Sequence, residues 1–132
     1  MQKINQTERR DDRISCMELL FSYDMNNEYI FVNPSDDYSD FATELVNYVC
    51  TNLEKIDEVI SKSLVNYRIG RLSFVDRAII RCATAEMMME TPKAIVINEA
   101  LEIVKVYSDQ GDGKAVKFIN RVLDNISKNL ER

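Results

Sequence analysis

The sequence predicts an all-α protein, a compact bundle of about six to seven helices. Three observations carry this. Apolar residues recur at spacings of three and four along nearly the whole chain. Only three glycines and two prolines occur in 132 residues, so few positions can interrupt a regular element. No run shows the alternation of a strand. A chain of this length suits one domain, residues 1–132, and can bury ~65–70% of its unfolded surface.

Thr7 is expected to cap the first helix, with Ile14, Met17, Leu20 and Phe21 on one face and Cys16, Tyr23 and Met25 beside it. That helix ends near Asn26-Asn27. "EYIFVNP" follows as an irregular, partly buried connection, because Pro34 forces an extended residue before it. Ser35 caps the second helix, with Asp36 and Asp37 in its first turn and a face of Tyr38, Phe41, Leu45, Tyr48 and Val49. The same phase continues through Leu53, Ile56, Ile60 and Leu64, which leaves open one long helix or two with a break near Asn52. Gly70 marks a turn. Ser73 and Asp76 then have capping-box spacing ahead of a helix that buries Val75, Ile79, Cys82, Ala83 and Met87. Of Met87, Met88 and Met89, two are expected in the core and one outside. Thr91 as cap and Pro92 at the first helical position open "KAIVINEALEIVKVY". "SDQGDG" is a loop. The last helix, about 114–130, aligns Val116, Ile119, Val122, Leu123, Ile126 and Leu130.

Net charge is −5, unevenly spread: +1 over residues 1–17, −8 over 18–64 and +2 over 65–132. Bulk acidity argues against non-specific nucleic-acid binding, but the two ends can share a positive surface. Cys16, Cys50 and Cys82 are odd in number and far apart, and there is no histidine. They read as small core residues in a reducing cytoplasm, without disulfide, metal or cofactor. No apolar run of signal-peptide type or of the ~18 residues that span a bilayer is present. Without histidine there is no Ser-His or Cys-His couple. "GDGK" at 111–114 lacks Walker spacing and a preceding strand, and Asp109 to Gly113 lacks the EF-hand's spacing and glutamate. Glu99 and Glu102, three apart on a helix, read as a solvated face. No enzyme is expected.

"RLSFVDRAIIRCATAEM", "PKAIVINEALEIVKVY" and "KFINRVLDNI", in this order, resemble the NusB family of transcription antitermination factors. The opening "RRDDRISCMELLFSYDM" is similar to that family's R-R-x-A-R-x-x-A-x-x-A-L-Y-x-W-x-L. The resemblance covers residues 9–25 and 66–128; the acidic middle matches only in its apolar pattern. It implies an all-α domain of two helical subbundles and a non-catalytic role: binding single-stranded boxA-like RNA of nascent ribosomal RNA together with the ribosomal protein NusE, within the transcription elongation complex.

Carried over by position, the resemblance puts Arg9, Arg10, Arg13, Lys117 and Phe118 on the RNA side, and Phe21 and Asp76 on the NusE side. Phe21 replaces a tyrosine and so cannot donate a hydrogen bond. Arginine suits phosphate through its fork, and an exposed aromatic suits an unstacked base; a core position for Phe118, on the face of Val122, is the other reading. Cations at a helix N-terminus oppose the macrodipole, so three arginines there suggest a ligand. Arg9, Arg10 and Arg13 with Lys3, Lys114 and Lys117 are expected to form one patch. Departures from the family pattern are Asp11 and Asp12, Tyr67 for tryptophan, Ala85 for tyrosine, Arg121 for glycine, and a longer "SDQGDGKAV" loop. Asn98 either faces solvent or bonds a neighbouring helix, and Arg81 and Glu99 are candidates for an interhelical link. Two other functions fit the same residues: a protein-interaction module with weak RNA binding, or an RNA-targeting module serving a separate RNA-modifying enzyme. No membrane partner is expected, and a homodimer is left open.

Overall fold

The computed structural model describes the backbone of residues 6–34 and 37–131. Among these are five α-helices and no strand: α1 (Gln6–Asn26), α2 (Asp40–Ser63), α3 (Phe74–Met88), α4 (Lys93–Tyr107) and α5 (Lys114–Leu130), with one 3-10 turn at Ile69–Arg71. α3 is the axis. It packs against each of the other four helices, and every residue from Ala78 to Met87 is buried. The all-α expectation holds. The helix count falls short of six to seven because the second apolar run fuses into one element, α2.

α2 is continuous but kinked. Asn52 leaves helical geometry (φ −116°, ψ 21°), and its side-chain amide donates to the Tyr48 carbonyl at 3.0 Å. A short amide side chain here competes for the carbonyl that the helical ladder would use, which bends the helix without ending it. α2 packs against α1, and beyond the kink Ser63 meets α5, where Asn125 donates to its carbonyl and Asn129 to its hydroxyl. Leu20, Leu45, Ile56, Ile60, Ile80, Ile119, Leu123 and Ile126 are the largest apolar side chains of the sealed core.

Helix starts differ from expectation at three places, and a fourth cap is only half made. α1 begins ahead of Thr7, so Thr7 stands inside the helix. Ser35 and Asp36 lie outside the described residues; the observed cap of α2 is Ser39, whose hydroxyl accepts from Ala42 N–H at 3.0 Å. Pro92 rather than Thr91 caps α4, and its carbonyl accepts from Ile95 and Val96. Ser73 does cap α3, accepting from Asp76 N–H at 3.1 Å, but the reciprocal arm of the box is not made. The Asp76 carboxylate instead accepts from the Ser108 hydroxyl at the end of α4.

The polar interior also departs from expectation. Glu99 is buried, not solvated, while Glu102 is half-exposed and bonded to Lys105. Arg81 pairs with Asp57 at 2.8 Å and not with Glu99. It also donates to the Tyr29 hydroxyl, and burial pushes that hydroxyl's pKa up to about 12. Asn98 faces solvent. Cys16 and Cys82 are free, buried and in contact, and burial raises the Cys16 thiol; Cys50 sits at the rim. Met87 is in the core, with Met88 and Met89 half-buried. No described helix is long and apolar enough to cross a membrane.

Candidate nucleic-acid interface

The three arginines at the start of α1 have different fates. Arg13 is 4% exposed and makes a two-point bond with Glu86 of α3, both contacts 2.7 Å, and a longer one of 3.4 Å with Glu99 of α4. Arg10, with 37% of its side chain exposed, grips Glu99 through Nε at 3.0 Å and Nη2 at 2.8 Å. Donating to the Glu99 carboxylate raises the Arg10 pKa further. Two guanidinium groups thus meet two buried carboxylates, and the helical turn expected to hold RNA is a charge-balanced clamp joining α1 to α3 and α4. Such a cluster persists only because every member is paired. Arg9 has no carboxylate partner among the described residues; its guanidinium lies 4.2 Å from the centre of the Phe41 ring.

The expected single patch is not assembled. Arg9 and Arg13 line a cleft with Glu90, Pro92 and Ile95, at the start of α4. The Lys93–Glu131 contact of 3.4 Å sets that end of α4 beside the end of α5. Lys114 and Lys117 open α5 and therefore lie near the opposite end of α4, a helix about 22 Å long at 1.5 Å per residue. Lys3 lies outside the described residues.

A second group of cations surrounds Phe118. Lys114, Lys117 and Arg121 are exposed on one stripe of α5, spaced i, i+3 and i+7. None has a carboxylate partner among the described residues. The Lys114 N–H is satisfied by Asp112 at 3.0 Å, but its charge opposes the helix dipole. Phe118 is half-buried against the core, and its other contact is Tyr67, with ring centres 5.3 Å apart at 56°. Tyr67 is 40% exposed and is held in place by its hydroxyl, which donates to the Arg71 carbonyl at 3.2 Å. Tyr67 and Arg121 entered the sequence comparison only as departures from a pattern. The available signal was the spacing of Arg121 from Lys114 and Lys117 along one helical stripe.

Phe21 and Asp76 are brought to the same end as Lys114. Phe21 packs edge-on against Phe74 at 6.2 Å, two residues from Asp76. Arg77 covers the Phe74 ring at 5.0 Å and bonds Asp24 at 2.6 Å. Exposed Met25, Phe74, Val106 and Tyr107 add apolar surface on α1, α3 and α4.

Comparison with known proteins agrees with this architecture. The NusB family matches residues 1–128. The chain is 38% identical over 131 residues to the transcription antitermination protein NusB of Bacillus subtilis, covering 94% of this chain and 98% of that one. To NusB of Clostridium botulinum it is 42% identical over 133 residues, covering 91% and 98%. Among solved structures, a chain from the crystal structure of antitermination factors NusB and NusE in complex with dsRNA superposes with a TM-score of 0.78 at 28% identity, over 95% of this chain and 99% of that one.

Proposed function

The chain belongs to the NusB family, and on that premise we propose that it is a transcription antitermination factor that binds RNA of nascent ribosomal transcripts together with NusE, in the cytoplasm, by contact alone and without a catalytic step. The observation that carries this is the row Lys114, Lys117 and Arg121, unpaired among the described residues, beside the Tyr67–Phe118 ring pair. Lysine and arginine on one helical stripe follow a phosphate backbone, and the exposed part of the Tyr67 ring offers a stacking surface to an unpaired base. A boxA-like single strand suits this better than a duplex, whose bases are already stacked.

Arg10 and Arg13 hold α1 in place; Arg9 is the member of the opening motif left for an outlying phosphate. Phe21, Asp76 and the apolar residues around Phe74 form the face for NusE. This face adjoins the start of α5, so one RNA strand can touch both proteins. The test is RNA binding by the wild-type chain and by Phe118→Ala, each with and without NusE. Loss of stacking is expected to weaken binding by about 1–3 kcal/mol in both settings. RNA binding that is the same in the variant would exclude the ring pair as the reading surface.

A further inference from the structure

The cations at the two ends of the 3-10 turn were assigned no role above, although Arg71 opens the quoted "RLSFVDRAIIRCATAEM", yet they flank the same ring pair. Arg68 and Arg71 are three residues apart, and the turn is closed by Arg71 N–H donating to the Arg68 carbonyl at 2.9 Å. Arg68 caps the turn with extended backbone (φ −94°, ψ 143°) and Arg71 ends it. Both are exposed, and neither has a carboxylate partner among the described residues. Arg71 lies 5.9 Å from the Tyr67 ring centre. With Tyr67 and Ser61 they line an open cleft of about 640 Å³, ample for one nucleotide. Most other described cations are spent internally: Arg10, Arg13, Arg77 and Arg81 on buried or half-buried carboxylates, and Lys62, Lys105 and Lys128 on neighbours along their own helices.

We propose that Arg68 and Arg71 form a second phosphate-binding arm, which grips the backbone of a single-stranded RNA whose base stacks at Tyr67–Phe118, while the α5 cations hold the strand on their own side. This rests on the RNA-binding function proposed above and adds a contact to it. The turn is preorganised for the task. The Arg71 carbonyl fixes the Tyr67 ring through its hydroxyl, so one residue positions the stacking surface with its backbone and the phosphate with its side chain. Truncating the side chain leaves the backbone contact in place.

The experiment measures binding of a short fluorescein-labelled single-stranded RNA to the full chain by anisotropy across a salt series. Arg68→Ala/Arg71→Ala is expected to make the log–log salt slope shallower by about 1.4, from two contacts at about 0.7 each for a single strand, and to weaken binding about tenfold or more at low salt. Arg68→Lys/Arg71→Lys restores the slope, since an ammonium also binds phosphate. Lys55→Ala, which removes an exposed cation on α2, keeps the wild-type slope. A double alanine variant with wild-type slope and affinity, while Lys117→Ala is weakened, overturns the arm and leaves RNA binding standing. An equal effect from Lys55→Ala overturns it as well, by showing that only total charge matters. A wild-type chain that binds no RNA, alone or with NusE, overturns both.

Discussion

The start of α1 and the start of α5 each carry three cationic side chains, with opposite physics. At α1, Arg10 and Arg13 meet Glu86 and Glu99, carboxylates contributed from α3 and α4 more than 70 positions away. At α5, Lys114, Lys117 and Arg121 meet water. A cluster of cations in a sequence is therefore no measure of a cationic surface. What decides is whether the fold brings carboxylates to it. The first group stabilises the bundle; the second costs it a little, and its cations remain free for a ligand.

The largest effect expected from this contrast is on stability. Glu86→Ala leaves the buried Arg13 with only its longer contact to Glu99, already shared with Arg10, and is expected to cost about 3–5 kcal/mol. Arg13→Ala is expected to do similar damage from the other side. Urea unfolding of either variant checks this, and a midpoint like the wild type would show that the pair contributes nothing. Leu123→Ala, an apolar truncation at a fully buried site, is expected to cost about 2–5 kcal/mol and sets the scale for a core residue. A cost well below that range would mean that α5 is not locked into the core.

At the other end of the molecule, Arg121→Ala is expected to leave stability within about 0.5 kcal/mol of the wild type while weakening RNA binding. A lowered melting temperature would place Arg121 with the structural cations instead. Asp76→Ala removes the acceptor for Ser108 between α3 and α4. It is expected to cost about 1 kcal/mol and to weaken the complex with NusE, measurable by calorimetry. The smallest effect concerns pH. Tyr29 is held to about 12, above its ordinary 10, so the fold favours its neutral hydroxyl. That contribution is complete below pH 10 and is lost as pH rises toward 12. Absorbance titration should show Tyr29 ionising late, and Tyr29→Phe should flatten the alkaline decline in stability.

The apolar periodicities of α1, α3 and α5 were legible because each helix buries one stripe or, for α3, nearly its whole circumference, and burial follows a regular spacing. The caps were less so. Ser35 and Ser39 are equally good hydroxyls, and nothing local says which carries the first turn of α2. The kink at Asn52 was left open for the same reason, since only the folded backbone shows whether its amide bonds the Tyr48 carbonyl. The clamp on Arg13 could not be found from the opening motif at all. Its partners lie on other helices, one of them, Glu99, in a pair that looks solvated by spacing. Phe118 had two readings, core or surface, and occupies both: one side on the core, the other against Tyr67.

The contrast between the two cation groups is tested most directly by one pair of double variants, Arg10→Ala/Arg13→Ala and Lys114→Ala/Lys117→Ala, each measured for RNA binding across a salt series at a temperature where both remain folded. The α5 pair is predicted to make the salt slope shallower by about 1.4 with unchanged stability. The α1 pair is predicted to keep the wild-type slope and to melt earlier. A shallower slope in the α1 variant together with a wild-type slope in the α5 variant would contradict the account and return the RNA site to the opening arginines.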